Sequence, residues 1–334
     1  MKKKLFIIVS AVLVFTSCPM DSTGNSGPVF YPLPDGVYIA GISDGQACYL
    51  AGDTRVMLDG ARASSITVSD GIVFVKGWYN NYAIQNIIPC YWINDVRYDI
   101  QTNDVSMVDG KFYTLYNDKV WLDGVQMTPD NFSVSRFTVH EGVVYAIMSS
   151  YGSSSYAIGD NAYYNIPKPN GATFSFYPRN ITVSEDGLFF ILVSASQLAD
   201  GSWTDRYWYY DGSEYIELED VDVSNWTLSM RAFNNNVYVT GFSVDSTYTT
   251  QEDQSVHLIA TVSRVYCWVN GKKETIEMPD NSIIEDVKMF GGKIYVIGSY
   301  ITGTYPTTTQ ACYWIDGERF DLDITRATAI FVEE

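Results

Sequence analysis

Carboxylates are the most plentiful source of chemistry in this 334-residue chain: 39 Asp and Glu stand against 21 Lys and Arg, with only two histidines, His140 and His257. A close pair such as Glu217 with Glu219, or Asp321 with Asp323, is the residue set that general acid–base work requires. In so acidic a chain some such pair always arises, and both read as the solvated face of a strand and its following loop. Asp220-Val221-Asp222 is the nearest approach to a calcium loop, yet no run follows the D-x-D-x-D-G pattern. Two histidines leave little room for a zinc site. There is no G-x-S-x-G, H-E-x-x-H, Walker phosphate loop or C-x-x-C pair. The easily recognised hydrolase, metalloprotease and nucleotide-binding chemistries are therefore missing, and no catalytic residue, metal or cofactor is assigned. A carbohydrate-active enzyme with dispersed carboxylates at a channel mouth stays as an alternative.

Aromatic side chains offer binding rather than reaction. Trp78, Tyr79, Tyr82, Tyr151, Trp203, Tyr248 and Tyr305 stand in segments rich in Asn, Ser, Thr and Asp, a composition suited to stacking on sugars or anchoring a protein partner. Trp92, Trp121, Trp268 and Trp314 are different. They recur at one position of a repeated phrase, which reads as packing between repeats.

That phrase dictates the elements. D-G-V-Y-I-A-G at Asp35 to Gly41 returns as D-G-I-V-F-V-K-G at Asp70 to Gly77 and as G-G-K-I-Y-V-I-G at Gly291 to Gly298. A second phrase also recurs: P-C-Y-W-I-N-D at Pro89, Y-C-W-V-N-G at Tyr266 and A-C-Y-W-I-D-G at Ala311. The aromatic anchors Tyr38, Phe74, Tyr113, Tyr145, Phe190, Tyr238 and Tyr295 recur at intervals of 32 to 57 residues, near the roughly 40 to 50 of a four-stranded propeller blade. Short alternating runs of Val, Ile, Tyr and Phe bounded by Gly, Asp and Asn give the strand signal throughout. Each unit reads as strands A to D, with tight A–B and C–D turns such as Asp70-Gly71, Asn270-Gly271 and Asp316-Gly317. These dipeptides suit turns that need positive φ.

The repeats begin at a strand B, Val37 to Ala40, and stop at Ala329 to Val332, which reads as a strand A. The expected fold is all-β, a seven-bladed propeller closed by pairing of its N- and C-terminal strands. An open solenoid or a sandwich pair is the competing architecture, but solenoid repeats are shorter. In this phase the long segments Trp78 to Ile88, Ser149 to Ser155, Ser194 to Asp205, Phe242 to Val262 and Ser299 to Gln310 all lie on the face opposite the tight turns, where the seven candidate aromatics gather. Cys48, Cys90 and Cys312 share one slot of strand C, and Cys267 sits one position later. Cysteines on separate blades cannot meet within disulfide range, so free buried thiols are expected.

Residues 1 to 17 join three lysines to a short apolar run, the pattern of a secretory leader rather than a spanning helix. Cys18 after Thr16 and Ser17 resembles the lipobox of bacterial lipoproteins, with Phe15 where Leu is commonest. The resemblance implies cleavage before Cys18, palmitate-type acylation there, and anchorage to an envelope membrane. Residues 18–34 then form a lipidated tether and 35–334 the propeller. Loss of Lys2, Lys3 and Lys4 with the leader would take the formal charge from −18 to −21, a balance that repels nucleic acid and anionic headgroups.

The A-C-Y-W-I-D-G-E-R-F-D-L run at Ala311 to Leu322 resembles the A-x-Y-W-x-[ND]-G repeats of uncharacterised envelope lipoproteins of spirochaetes and Bacteroidetes. What this resemblance implies is an envelope location and no assigned reaction. The function expected is non-enzymatic binding of a protein or glycan on the long-segment face. A second expectation is a scaffold subunit, comparable with the lipoprotein propeller of the outer-membrane barrel-assembly complex.

Overall fold

The computed structural model describes residues 32–334 apart from 82–85, 100–103, 109, 123–124, 129–132, 151–152, 160–161, 167–175, 185–186, 198–202, 220, 222–227, 234–235, 251–255, 303–307 and 333–334. The described residues form seven four-stranded antiparallel sheets. Blades 2 to 7 are each four consecutive strands, spanning residues 62–99, 104–126, 133–165, 176–217, 229–277 and 282–321. Inner strands of neighbouring blades adjoin one another all the way round, so the sheets close into a ring. The chain is a seven-bladed β-propeller.

Blade 1 is made from both ends of the chain. Its strand A, Arg326–Val332, pairs with strand B, Val37–Ser43, in a register that sets Val37 opposite Val332 and Ile39 opposite Ile330. All seven aromatic anchors fall in strand B, one per blade. Leu33, which the sequence places in the tether, is buried against blades 1 and 7 and donates its N–H to the Gly52 carbonyl (2.9 Å).

The turn dipeptides have the φ they were chosen for: Asp70 and Gly71 at 51° and 72°, Asn270 and Gly271 at 51° and 85°, Asp316 and Gly317 at 50° and 87°. Their acidic or amide side chains also do a second job. Asn94, Asn270 and Asp316 each accept the N–H of the second residue of strand B of their own blade, Val73, Val237 and Ile294, at 2.8–3.0 Å. Each returns its backbone N–H to that same residue's carbonyl at 2.9–3.0 Å. The two repeated phrases are thus tied together, and the Asn94, Asn270 and Asp316 side chains are architectural.

Strand A carries a bulge in five blades, at Ser64, Ser135, Arg179, Glu285 and Thr328. Where the bulged residue is Ser64, Ser135 or Thr328, its hydroxyl donates to a strand B carbonyl, that of Lys76, Ile147 or Ala40. The bulge also explains the glycine that ends the first phrase. A Cβ on Gly41, Gly77 or Gly298 would meet the carbonyl oxygen of Arg326, Arg62 or Ile283 at 2.3, 2.0 or 1.9 Å. In blade 4, Met148 holds the corresponding position and is fully buried, so strand spacing differs there.

Trp92, Trp268 and Trp314 are wholly buried and pack on the preceding blade: Trp92 among Ala47 and Leu58 of blade 1, Trp268 against Tyr207 and Tyr209 of blade 5, Trp314 against Val265 and Cys267 of blade 6. Their apolar area is much of what holds blade to blade. Trp121 departs from this pattern. It is only half-buried, and its indole N–H donates to the Tyr116 carbonyl of its own blade.

Candidate functional site

The face opposite the tight turns is built from B–C connections, and they differ from the long loops expected. Most are strands that continue past the blade as two-stranded hairpins. In blade 2, pairing runs on to Asn81 opposite Asn86; in blade 5 to Gln197 opposite Trp203; in blade 7 to Thr302 opposite Thr308. Blade 6 extends furthest, since strand D ends opposite Arg264 while strands B and C continue from Val244 opposite Ser263 to Thr250 opposite Val256. At 3.3 Å per residue this ribbon is about 20 Å long. Blade 1 turns tightly at Asp44-Gly45, and blade 3 at Asn117-Asp118. Blade 4 is a correction to the sequence reading: its strands stay paired to Ser150 opposite Ser153, so no long segment stands there. Among the described B–C connections, elaboration falls in blades 2, 5, 6 and 7.

The seven candidate aromatics distribute unevenly. Trp78 and Tyr79 lie in strand B of blade 2 (Ile72–Asn81) and are described in full. Trp203 opens strand C of blade 5 and Tyr248 lies in the blade 6 ribbon, opposite Leu258 just past a bulge, but their side chains are outside the described residues. Tyr82, Tyr151, Tyr305 and the lipidation candidate Cys18 lie outside the described residues altogether.

Trp78 and Tyr79 have separate environments. Trp78 lies opposite Arg62, the first residue of strand A, and the Arg62 guanidinium carbon stands 5.1 Å from the Trp78 ring centroid. Arg62 Nε is buried without a hydrogen-bond partner among the described residues. An indole held beside a cation at the inner rim can present a flat apolar surface next to hydrogen-bond donors, which suits a sugar ring or an acidic side chain. Tyr79 is instead committed within its blade. Arg97 covers its ring at 4.1 Å, its hydroxyl donates to Asp99 Oδ2 (3.1 Å), and Arg97 is held by Asp99 (3.0 Å) and by Asp59 of blade 1 (2.6 Å).

The same triad recurs in blade 7, with Arg319 3.9 Å from the Tyr300 ring centroid and 3.3 Å from Asp321 Oδ1. Its sequence signal is an Arg five residues after the strand C Trp, in Trp92 to Arg97 and Trp314 to Arg319, with a Tyr two after the strand B glycine. Such exposed cation–π contacts contribute about 0.5–1 kcal/mol each. The triads also bound the acidic alternative, because Asp321 is one of the carboxylates considered for catalysis and it is occupied with Arg319. Glu217 is paired with Arg206 (3.6 Å) on the outer strand of blade 5.

Among the described residues no three His, Cys, Asp or Glu come together as a metal site. Cys48, Cys90, Cys267 and Cys312 are free and buried, and the register confirms the offset: Cys90 and Cys312 face Gly77 and Gly298, while Cys267 faces Thr240. Burial pushes the Cys48, Cys90 and Cys267 thiols up to about 12, overriding the pull of Arg55 on Cys48 and of Arg97 on Cys90. They are therefore neutral packing groups, not nucleophiles.

No protein-family model matches the chain, and no curated protein matches it. Solved structures similar to it include the β-propeller domain of the Trilobed protease from Pyrococcus furiosus, with a TM-score of 0.47 and 14% identity over 88% of this chain and 98% of that one. Dihydro-heme d1 dehydrogenase NirN gives a TM-score of 0.43 and 9% identity, covering 92% of this chain and 77% of that one. A bat-derived neuraminidase-like protein gives 0.38 and 10%, covering 86% and 94%. Similarity of this order concerns blade architecture and carries no argument about activity.

Proposed function

We propose that this chain is a lipid-anchored cell-envelope propeller that binds a protein or glycan ligand, without catalysis, on its B–C hairpin face. The observation that supports the reading is asymmetry: described turns on one face are tight and self-satisfied, while blades 2, 5, 6 and 7 extend strands on the other. A rigid ring presenting ribbons and a cation-flanked Trp78 is the arrangement of a recognition surface. Anchorage through Cys18 would set that surface in the envelope.

Two measurements test it. Replacing Cys18 by Ala should move the chain from the membrane fraction to the soluble one, and a leader-free chain that stays firmly membrane-bound contradicts the anchor. Capture on an array of glycans and envelope or matrix proteins should yield a saturable ligand weakened by Trp78→Ala. Turnover of a glycan lost on a single carboxylate change would replace this reading with the enzymatic one.

A further inference from the structure

A cavity of about 300 Å³ lies against the inner strands of blades 5, 6, 7 and 1, toward the tight-turn face and away from the hairpins. That volume is at the lower end for small-molecule sites and excludes a folded partner or a long glycan. The lining joins polar Thr182, Ser229 and Lys288 with apolar Met230, Met289 and Phe331. Residues from four blades, up to 150 positions apart in sequence (Thr182 to Val332), converge here only because the ring closes.

Among the described residues of the lining Lys288 is the cation, and its side chain is 37% exposed. Its Nζ lies 3.3 Å from Asp286 Oδ1 and 3.4 Å from Ser229 Oγ, two long contacts for an ammonium that carries three N–H donors. Asp286 is already committed to the fold. Its Oδ1 accepts the Val287 N–H (2.9 Å) and its Oδ2 the Ile330 N–H of the closing strand (3.2 Å). Two backbone dipoles therefore share that carboxylate's charge, and Lys288 keeps donor capacity for a second, external acceptor. The lining also offers two thioethers, which adapt to irregular shapes, and a phenyl ring.

We infer that this cavity is a binding site for a small monocarboxylate with a compact apolar body. The carboxylate would accept from Lys288 and the Ser229 and Thr182 hydroxyls, and the body would rest on Met230, Met289 and Phe331. The described lining, one cation with two hydroxyls, matches a singly charged planar group better than a phosphate dianion, which needs more positive charge. The inference does not depend on the hairpin face.

The test is titration calorimetry on the full chain in detergent with phenylacetate, benzoate and isovalerate, using phenylacetamide as the uncharged isostere. Phenylacetate should bind roughly tenfold to a hundredfold tighter than the amide, the range of a hydrogen bond to a charged group. Lys288→Met should remove that preference. If Lys288→Met fails to fold, Ser229→Ala and Thr182→Val should each weaken phenylacetate while leaving the amide unchanged. Removal of the blade 6 ribbon should leave phenylacetate affinity intact. Absence of binding for all three carboxylates, or a folded Lys288→Met chain that keeps the preference, overturns the inference.

Discussion

The bulge that every repeated glycine faces makes a quantitative claim about Gly298→Ala. The backbone at Gly298 does not have positive φ, so the substitution is opposed by space alone. The new Cβ would lie 1.9 Å from the Ile283 oxygen and 2.9 Å from its carbon, where real Cβ contacts essentially never fall below 3.0 Å. Strands A and B of blade 7 must therefore separate by about 1.1 Å at the Ile284–Gly298 pair, the difference between 3.0 and 1.9 Å. Overpacking of this kind costs about 1–3 kcal/mol, and a weakened ladder bond adds about 1 kcal/mol. A total near 3 kcal/mol corresponds to a fall in Tm of about 5 °C for a domain of this size. Gly291→Ala is the control, because Gly291 has φ 56° with open space around it and should lose only about 1 kcal/mol for its left-handed backbone. Urea unfolding followed by tryptophan fluorescence separates the two. A Gly298→Ala chain no less stable than Gly291→Ala would refute the steric account of the repeated glycine.

Three further outcomes follow from the same geometry. Asp316→Ala should cost about 1–2 kcal/mol in denaturant unfolding by orphaning the Ile294 N–H, whereas Asp316→Asn should be nearly neutral, since Asn94 and Asn270 do the same work in blades 2 and 6. Thr328→Val should lose about 1–3 kcal/mol, because its buried hydroxyl lies within hydrogen-bond distance of the Ala40 (3.1 Å) and Ala63 (2.8 Å) carbonyls, joining the closing strand to blades 1 and 2; an unchanged Tm would deny that role. The thiols of Cys48, Cys90 and Cys267, raised to about 12 by burial, stabilise the fold fully below the unfolded thiol value of about 8.5. That contribution is lost as pH climbs from there toward 12, so Tm should fall across that window and the fall should be shallower in a Cys48→Ala, Cys90→Ala chain.

Much of the fold was legible because the constraints are local. Positive φ at Asp-Gly and Asn-Gly pairs and an aromatic in every strand B are properties of a few adjacent residues, so they mark seven blades and the closing strand directly. The hairpin face was only half legible. In the segment 242–262 apolar alternation is confined to the ends, and the polar stretch between them does not distinguish a ribbon from a loop until pairing shows it to be strand as far as Thr250 opposite Val256. Tyr79 reads as an exposed platform until Arg97 and Asp59, a residue of the preceding blade, are brought onto it. The Lys288 cavity had no sequence signal, since its wall is assembled from four blades.

The most direct test of the account is excision of the blade 6 ribbon, replacing residues 245–262 by Asn-Gly between Val244 and Ser263. Strand D pairs only as far as Arg264, so the blade keeps its four strands. The account predicts an unchanged Tm together with weakened or lost capture of the ligand found on the glycan and protein array. Full retention of that ligand by the folded, ribbon-free and Trp78→Ala chain would contradict the claim that the hairpin face is the recognition surface.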